Sequence, residues 1–143
     1  MKHVLSALGA TLILSMTAMA AEPGDLIRQQ SLACGEVVQL SQQLNSGKAI
    51  PVLAKNRQQL RQTLERMHRS LDELIKSGAL MEQQDYLLSI EEGLRHMDRL
   101  ADGPMTGENL SQVEDMCAFI ATVDDELLRT LPSSSAMSYR AAR

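Results

Sequence analysis

Cys34 and Cys117 are the only two cysteines of the chain, and their spacing limits the chemistry available to them. They form no Cys-x-x-Cys pair, and neither stands in the Cys-x-x-Cys-His pattern of haem attachment. Each takes an inward position near the middle of an amphipathic segment, the first and the last of the chain. We therefore predict a Cys34–Cys117 disulfide between these segments. Two reduced thiols packed as small hydrophobic groups are the alternative.

Two groups of polar residues have types that could bind a cation, and we expect neither to do so. Glu65 and His68 have the Glu-x-x-His spacing of di-iron and di-manganese bundles, which need a second copy and two more glutamates. Met67 takes the inward position between them, which turns Glu65 towards water. The acidic run at residues 124–126 lacks the alternate spacing and the glycine of an oxygen-rich cation loop. We interpret this run as a solvated acidic turn.

Histidine stands beside methionine twice, at residues 67–68 and 96–97, and both side chains can bind copper or haem iron. In an antiparallel hairpin that turns near Gly78, residue 68 would lie opposite residues 89–90. The two pairs would then be about 10 Å out of step along the helices. Both methionines are therefore expected to fill the core, as methionines in bundles usually do. The sequence predicts no metal site and no cofactor.

The chain offers no set of side chains that predicts catalysis. The serines at residues 133–135 have no base placed beside them. The predicted architecture is similar to that of the all-helical chorismate mutases, which include secreted members and need several inward-facing cations to hold a dicarboxylate. Arg57 alone has an inward position, while Arg28, Lys48 and Arg61 could line an end of the bundle. We expect a protein that is not an enzyme; a chorismate-mutase-like enzyme and a metal- or haem-binding bundle are the alternatives.

Four amphipathic segments must position these residues, and proline or glycine separates them. The first three predicted helices cover about residues 24–46, 51–77 and 80–101. The fourth begins between residues 106 and 111 and ends at 131. A capping box is expected at residues 111–114. Because the connections are short and no period-two run predicts a strand, we predict an all-α, up-down-up-down four-helix bundle. A three-helix variant, with the first helix loosened at Gly35, is the alternative. The main predicted inward positions are Ile27, Cys34, Val37 and Leu44; Leu53, Leu60, Leu64, Met67, Leu71 and Leu74; Leu80, Leu87, Ile90, Leu94, Met97 and Ala101; and Leu110, Val113, Cys117, Ile120, Leu127 and Leu131.

The first twenty residues have the features of a cleavable secretion signal. Lys2 and His3 precede an apolar run of about thirteen residues, and Ala-Met-Ala at 18–20 fits the small-x-small cleavage pattern. The run is shorter than the roughly 20 residues of a membrane-spanning helix, and no cysteine follows the cleavage site to carry a lipid anchor. We expect a periplasmic protein with a signal peptide at 1–20, a bundle domain at 21–131 and a disordered, flexible tail at 132–143.

The composition of the exported chain argues against several classes of partner. Removal of Lys2 with the signal leaves 13 basic against 18 acidic residues, a formal charge of about −5. Proteins that bind nucleic acid show a basic face or stripe instead. Two tyrosines, one phenylalanine and no tryptophan provide almost no platform for stacking on bases or sugars. We expect no nucleic-acid partner and no membrane span.

One feature of the fourth segment exceeds the needs of folding. Met116, Phe119 and Val123 form a second apolar row beside the inward positions, and surplus apolar surface of this kind often marks a contact between proteins. Greater burial of this helix by its neighbours is the alternative. We therefore expect a non-enzymatic module that binds another periplasmic or envelope protein, or a second copy of itself, through these three residues. An immunity protein, a chaperone or adaptor and a secretion accessory factor all fit this expectation.

Overall fold

The protein, in a computed structural model, is described over residues 21–131. Four α-helices make up almost all of this part: α1 (Pro23–Leu44), α2 (Ile50–Ser77), α3 (Gln84–Asp102) and α4 (Gly107–Thr130). One turn of 3₁₀ helix, Met81–Gln83, precedes α3. No strand occurs within residues 21–131, and the prediction of an all-helical fold is confirmed. The predicted signal peptide at 1–20 and tail at 132–143 lie outside the described residues.

The helix ends follow from residues with restricted or unusual backbone preferences. Pro23 and Pro51 lie in the first turns of α1 and α2, where the missing N–H costs nothing. Gly78 ends α2 with φ at 69°, a left-handed conformation that a side chain would oppose. Thr106 caps α4, because its hydroxyl accepts a hydrogen bond from the Asn109 N–H at 3.2 Å. The prediction of a capping box at residues 111–114 is wrong, because these residues lie inside α4.

The turn between α2 and α3 is longer than the sequence suggested, and this changes which residues face each other. The third helix was expected to begin near Leu80, but the 3₁₀ turn delays its start to Gln84. His68 Nε2 consequently lies 2.7 Å from Asp98 Oδ2, whereas residues 89–90 were expected opposite it. His68 therefore pairs with a residue eight or nine positions further along α3 than the residues predicted to lie opposite it.

The four helices pack in a closed order, each against its neighbours in the chain and α4 against α1. Residue contacts fix the directions: Gln42 bonds Glu114 and Ser31 bonds Asp124, so α1 and α4 run antiparallel. Between them lies one core that contains most of the predicted inward positions. Leu53, Leu110 and Leu131 are the exceptions, because each is only partly buried near a helix end. The core members with no measurable exposure are Ile27, Leu74, Ile90, Leu94, Ile120 and Leu127.

Cys34 of α1 and Cys117 of α4 lie at disulfide distance, with Cα atoms 5.4 Å apart. This separation is within the range that a disulfide allows without backbone movement. The pair is buried midway along both helices, and Met97 Sδ of α3 lies 3.7 Å from Cys117 Sγ. The bond joins the two helices that no short loop connects.

No helix within residues 21–131 combines the length and the apolar character that crossing a membrane requires.

We predict that the disulfide contributes strongly to stability. The two cysteines are 83 residues apart in sequence, and closing a loop of that length should raise the free energy of unfolding by about 4.5 kcal/mol in the chain-entropy model. Urea titration of the native protein and of a Cys34→Ser, Cys117→Ser variant, each with and without reductant, measures this effect. The native midpoint should fall on reduction to that of the variant. Equal midpoints in all four samples would contradict the prediction.

Candidate functional site

The structure divides the apolar row on α4 that was expected to contact a partner. Phe119 is 45% exposed, whereas Val123 is 6% exposed and belongs to the core. Met116 lies between these extremes and packs on the core from its edge. Burial of Val123 follows from its position, three residues after Ile120 and four before Leu127, both of which point inward. Only Phe119 and the outer part of Met116 are therefore available to another molecule.

Phe119 and Met116 form one wall of a groove between α3 and α4 with a volume of about 600 Å³. Gly93 forms part of its floor, because it lies directly opposite Met116. A Cβ atom at Gly93 would come within 2.9 Å of Met116 Sδ, so a larger residue here would displace the Met116 side chain. We call this cavity the α3–α4 groove. The residues that line it are Ser89, Glu92, Gly93, Arg95, His96, Arg99, Met116 and Phe119.

The α3 wall of this groove carries two arginines, a histidine and Glu92, in a protein that is acidic overall. Arg95 pairs with Glu91 one turn away at 2.6 Å. The His96 imidazole connects the helices, since its Nε2 donates to Gln112 Oε1 at 3.2 Å and its Nδ1 accepts from Arg99 at 3.4 Å. Arg99 is exposed and has no carboxylate within ion-pair distance among residues 21–131. The groove thus combines an apolar wall with a guanidinium that can donate hydrogen bonds to a carboxylate.

The residues considered as metal ligands form no such site within residues 21–131. His68 pairs with Asp98, and Glu65 is exposed. Met67 and Met97 are each 1% exposed and fill the core, as the sequence predicted. No group of three His, Cys, Asp or Glu side chains that could hold a metal ion occurs in residues 21–131.

Three of the four cations considered for a dicarboxylate site bind other groups, and they do not lie at one end of the bundle. Arg57 Nη1 donates to the carbonyl oxygens of Ala101 and Gly103, the latter at 2.9 Å, and so satisfies the C-terminal end of α3. Arg61 pairs with Asp102 at that same end of the bundle. Arg28 pairs with Asp25 in the first turn of α1, at the opposite end.

Asp124, expected in a solvated turn, is completely buried in the C-terminal third of α4. Its Oδ2 accepts a hydrogen bond from the Ser31 hydroxyl at 2.7 Å, while Oδ1 has no partner within the described residues. Gln30, next to Ser31 on α1, is also fully buried, and neither atom of its amide is bonded. The expectation for Asp124 is therefore wrong. Its spacing could have revealed it, since it lies seven residues after Cys117 and three before Leu127.

Burial changes the ionisation of Asp124. Removal from water penalises the charged form and raises the pKa of this carboxyl to about 7, although the Ser31 hydrogen bond opposes the shift. The folded protein therefore binds a proton at this site that the unfolded chain, with its ordinary pKa of 3.8, releases at lower pH. Stability from this group is complete in acid, falls as the pH rises, and reaches its lowest level above the folded pKa.

No protein-family model, no curated protein and no solved structure matches this chain. The arguments for its function therefore come from its own groove, charges and buried groups.

We predict that the Asp124→Asn variant is less sensitive to pH than the native protein. The free energy of unfolding of the native protein should decrease by up to about 4 kcal/mol through this group between pH 4 and pH 8. The variant cannot ionise and should lose that part of the slope. Urea titrations at several pH values measure it, with Asp115→Asn, an exposed carboxyl on the same helix, as the matched control. If the free energy of unfolding depends on pH in the same way for all three proteins, the prediction is wrong and Asp124 is already ionised at low pH in the folded protein.

Proposed function

We propose that this protein is an exported, periplasmic, non-catalytic helical module that binds another protein. The observation that carries the proposal is the α3–α4 groove, in which Phe119 is 45% exposed beside Met116 and faces basic side chains. Aromatic residues, methionine and arginine are enriched at the centres of protein interfaces relative to the rest of the surface. Val123, which is buried, is not part of the proposed surface.

The chemistry of the groove also indicates what the partner must present. An apolar side chain would fill the space beside Phe119 and Met116, above the glycine at position 93. A carboxylate would reach the Arg99 guanidinium, which can bind it through two parallel hydrogen bonds. A helix or extended segment with an apolar residue close to an acidic one meets both requirements. This requirement is compatible with all three classes of partner considered: a toxin bound by an immunity protein, a client of a chaperone or adaptor, and a component of a secretion system.

Three features support the assignment to the periplasm. The first twenty residues have the pattern of a cleavable signal, and a buried cysteine pair at disulfide distance is typical of an oxidising compartment. The absence of a membrane-spanning helix within residues 21–131 is compatible with export. No lipid anchor is proposed, because alanine and not cysteine follows the predicted cleavage site.

The test is capture of the partner from periplasmic extract by the immobilised mature protein. We expect Phe119→Ser and Arg99→Glu each to weaken capture by about tenfold or more, because loss of an interface anchor costs roughly 2 kcal/mol. The matched controls are Leu32→Ser, an exposed leucine on α1, and Arg69→Glu on α2, both outside the groove. They should bind as the native protein does. Capture that is equal for all five proteins would exclude the groove as the binding site.

A further inference from the structure

A second apolar surface lies at the end of the bundle where α2 turns into α3. It surrounds a cavity of about 180 Å³ and includes three strongly exposed side chains. These are Ile75 (46% exposed), Met81 (69%) and Leu88 (55%). Gln84 is the single polar residue that lines the cavity. We call this surface the end patch; it consists of Leu74, Ile75, Leu80, Met81, Gln84, Leu87 and Leu88.

Acidic residues surround the end patch. Residues 72–88 contain four acidic side chains and one basic one, Lys76, which pairs with Asp72 at 2.8 Å. Glu73, Glu82 and Asp85 are exposed and lack an ion pair within residues 21–131. Asp85 lies three residues before Leu88 and so shares its face of α3. A molecule that covers the patch should therefore combine apolar side chains with positive charge.

The end of α4 lies at the same height as this patch. Gly93 of α3 packs against Met116 and Ile120 of α4, and the two helices run antiparallel. Counting along both helices from this contact places Gln84, the first residue of α3, level with residues near 127 of α4. Since α4 ends at Thr130, the chain leaves the helix at the level of the turn that carries Met81.

The residues that follow α4 have the chemistry that the patch requires. Residues 132–143 contain two large apolar side chains, Met137 and Tyr139, and two arginines, Arg140 and Arg143, with no Asp or Glu side chain. The five residues 132–136, which lead to Met137, can span up to about 17 Å when extended. Neighbouring helix axes lie about 8–10 Å apart, so this length is sufficient to cross α3.

We propose that the segment 132–143 binds to the end patch of its own chain. Met137 and Tyr139 cover Met81 and Leu88, and the two arginines lie beside Glu82 and Asp85. The attachment is intramolecular, so even weak contacts suffice, because a short linker holds the segment at an effective concentration in the millimolar range. This docking covers the exposed side chains of Ile75, Met81 and Leu88. It differs from the free tail that the composition alone suggests.

The test uses the full mature chain with Tyr139 replaced by the photoreactive amino acid p-benzoylphenylalanine. Irradiation followed by mass spectrometry should give one main crosslink, within a single chain, to a peptide from residues 74–88. Its yield should not depend on protein concentration. Crosslinks that join two chains, or that fall mainly on other surfaces, would overturn the proposal.

Two sets of variants test the contacts separately. Ile75→Glu with Leu88→Glu keeps Met81, which benzophenone prefers, and should lower the crosslink yield by about tenfold, the factor that 1.4 kcal/mol produces. Leu32→Glu, at a leucine that is 76% exposed on α1, is the matched control and should leave the yield unchanged. Arg140→Glu with Arg143→Glu changes no residue of the bundle and should also reduce the yield. An unchanged yield in both double variants would contradict the docking.

Discussion

The link between Cys34 and Cys117 is the constraint on which the rest of this bundle depends. It joins the middles of α1 and α4, the two neighbouring helices that no loop connects. The same interface buries Asp124, and one oxygen of its carboxyl group has no partner within the described residues. A buried polar group that lacks a partner costs about 1–3 kcal/mol. The stabilisation of about 4.5 kcal/mol that a loop of this length allows is larger than this cost, so the covalent bond helps to keep this side of the bundle closed.

The position of α4 also determines both surfaces for which a role is proposed. Phe119, in the middle of α4, lies in the groove that Arg99 of α3 also lines. The last residue of α4 lies at the acidic end of the bundle. A shift of α4 by one turn would move Met116 away from Gly93 and would change the shape of the groove. The disulfide and the Gly93 contact act on opposite sides of α4, so the helix is held between α1 and α3.

Much of the fold could be predicted from the sequence, because period and punctuation are local properties. The heptad spacing of α2 and the glycine at position 78 predicted the extent of this helix correctly. The equal distances of the two cysteines from the ends of their helices predicted that they pair. The rule that assigns inward positions to apolar residues missed Asp124 and Gln30, although both stand at inward spacing. The 3₁₀ turn at Met81–Gln83 was also missed, since a few residues of turn change the register without changing the period. Only the α4 side of the α3–α4 groove could be predicted. Phe119 and Arg99 lie on different helices, and sequence periodicity does not show which residues of separate helices face each other.

Counting thiols in the purified protein tests the central claim most directly. The protein, isolated without reductant and denatured in the presence of an alkylating reagent, should incorporate no label, and after reduction it should incorporate two labels per chain. That result would show that Cys34 and Cys117 are bonded to each other, provided that the unreduced mass is that of one chain. Two labels before reduction would mean that the outer helices are held by packing alone, and the account of how α4 is positioned would then be wrong.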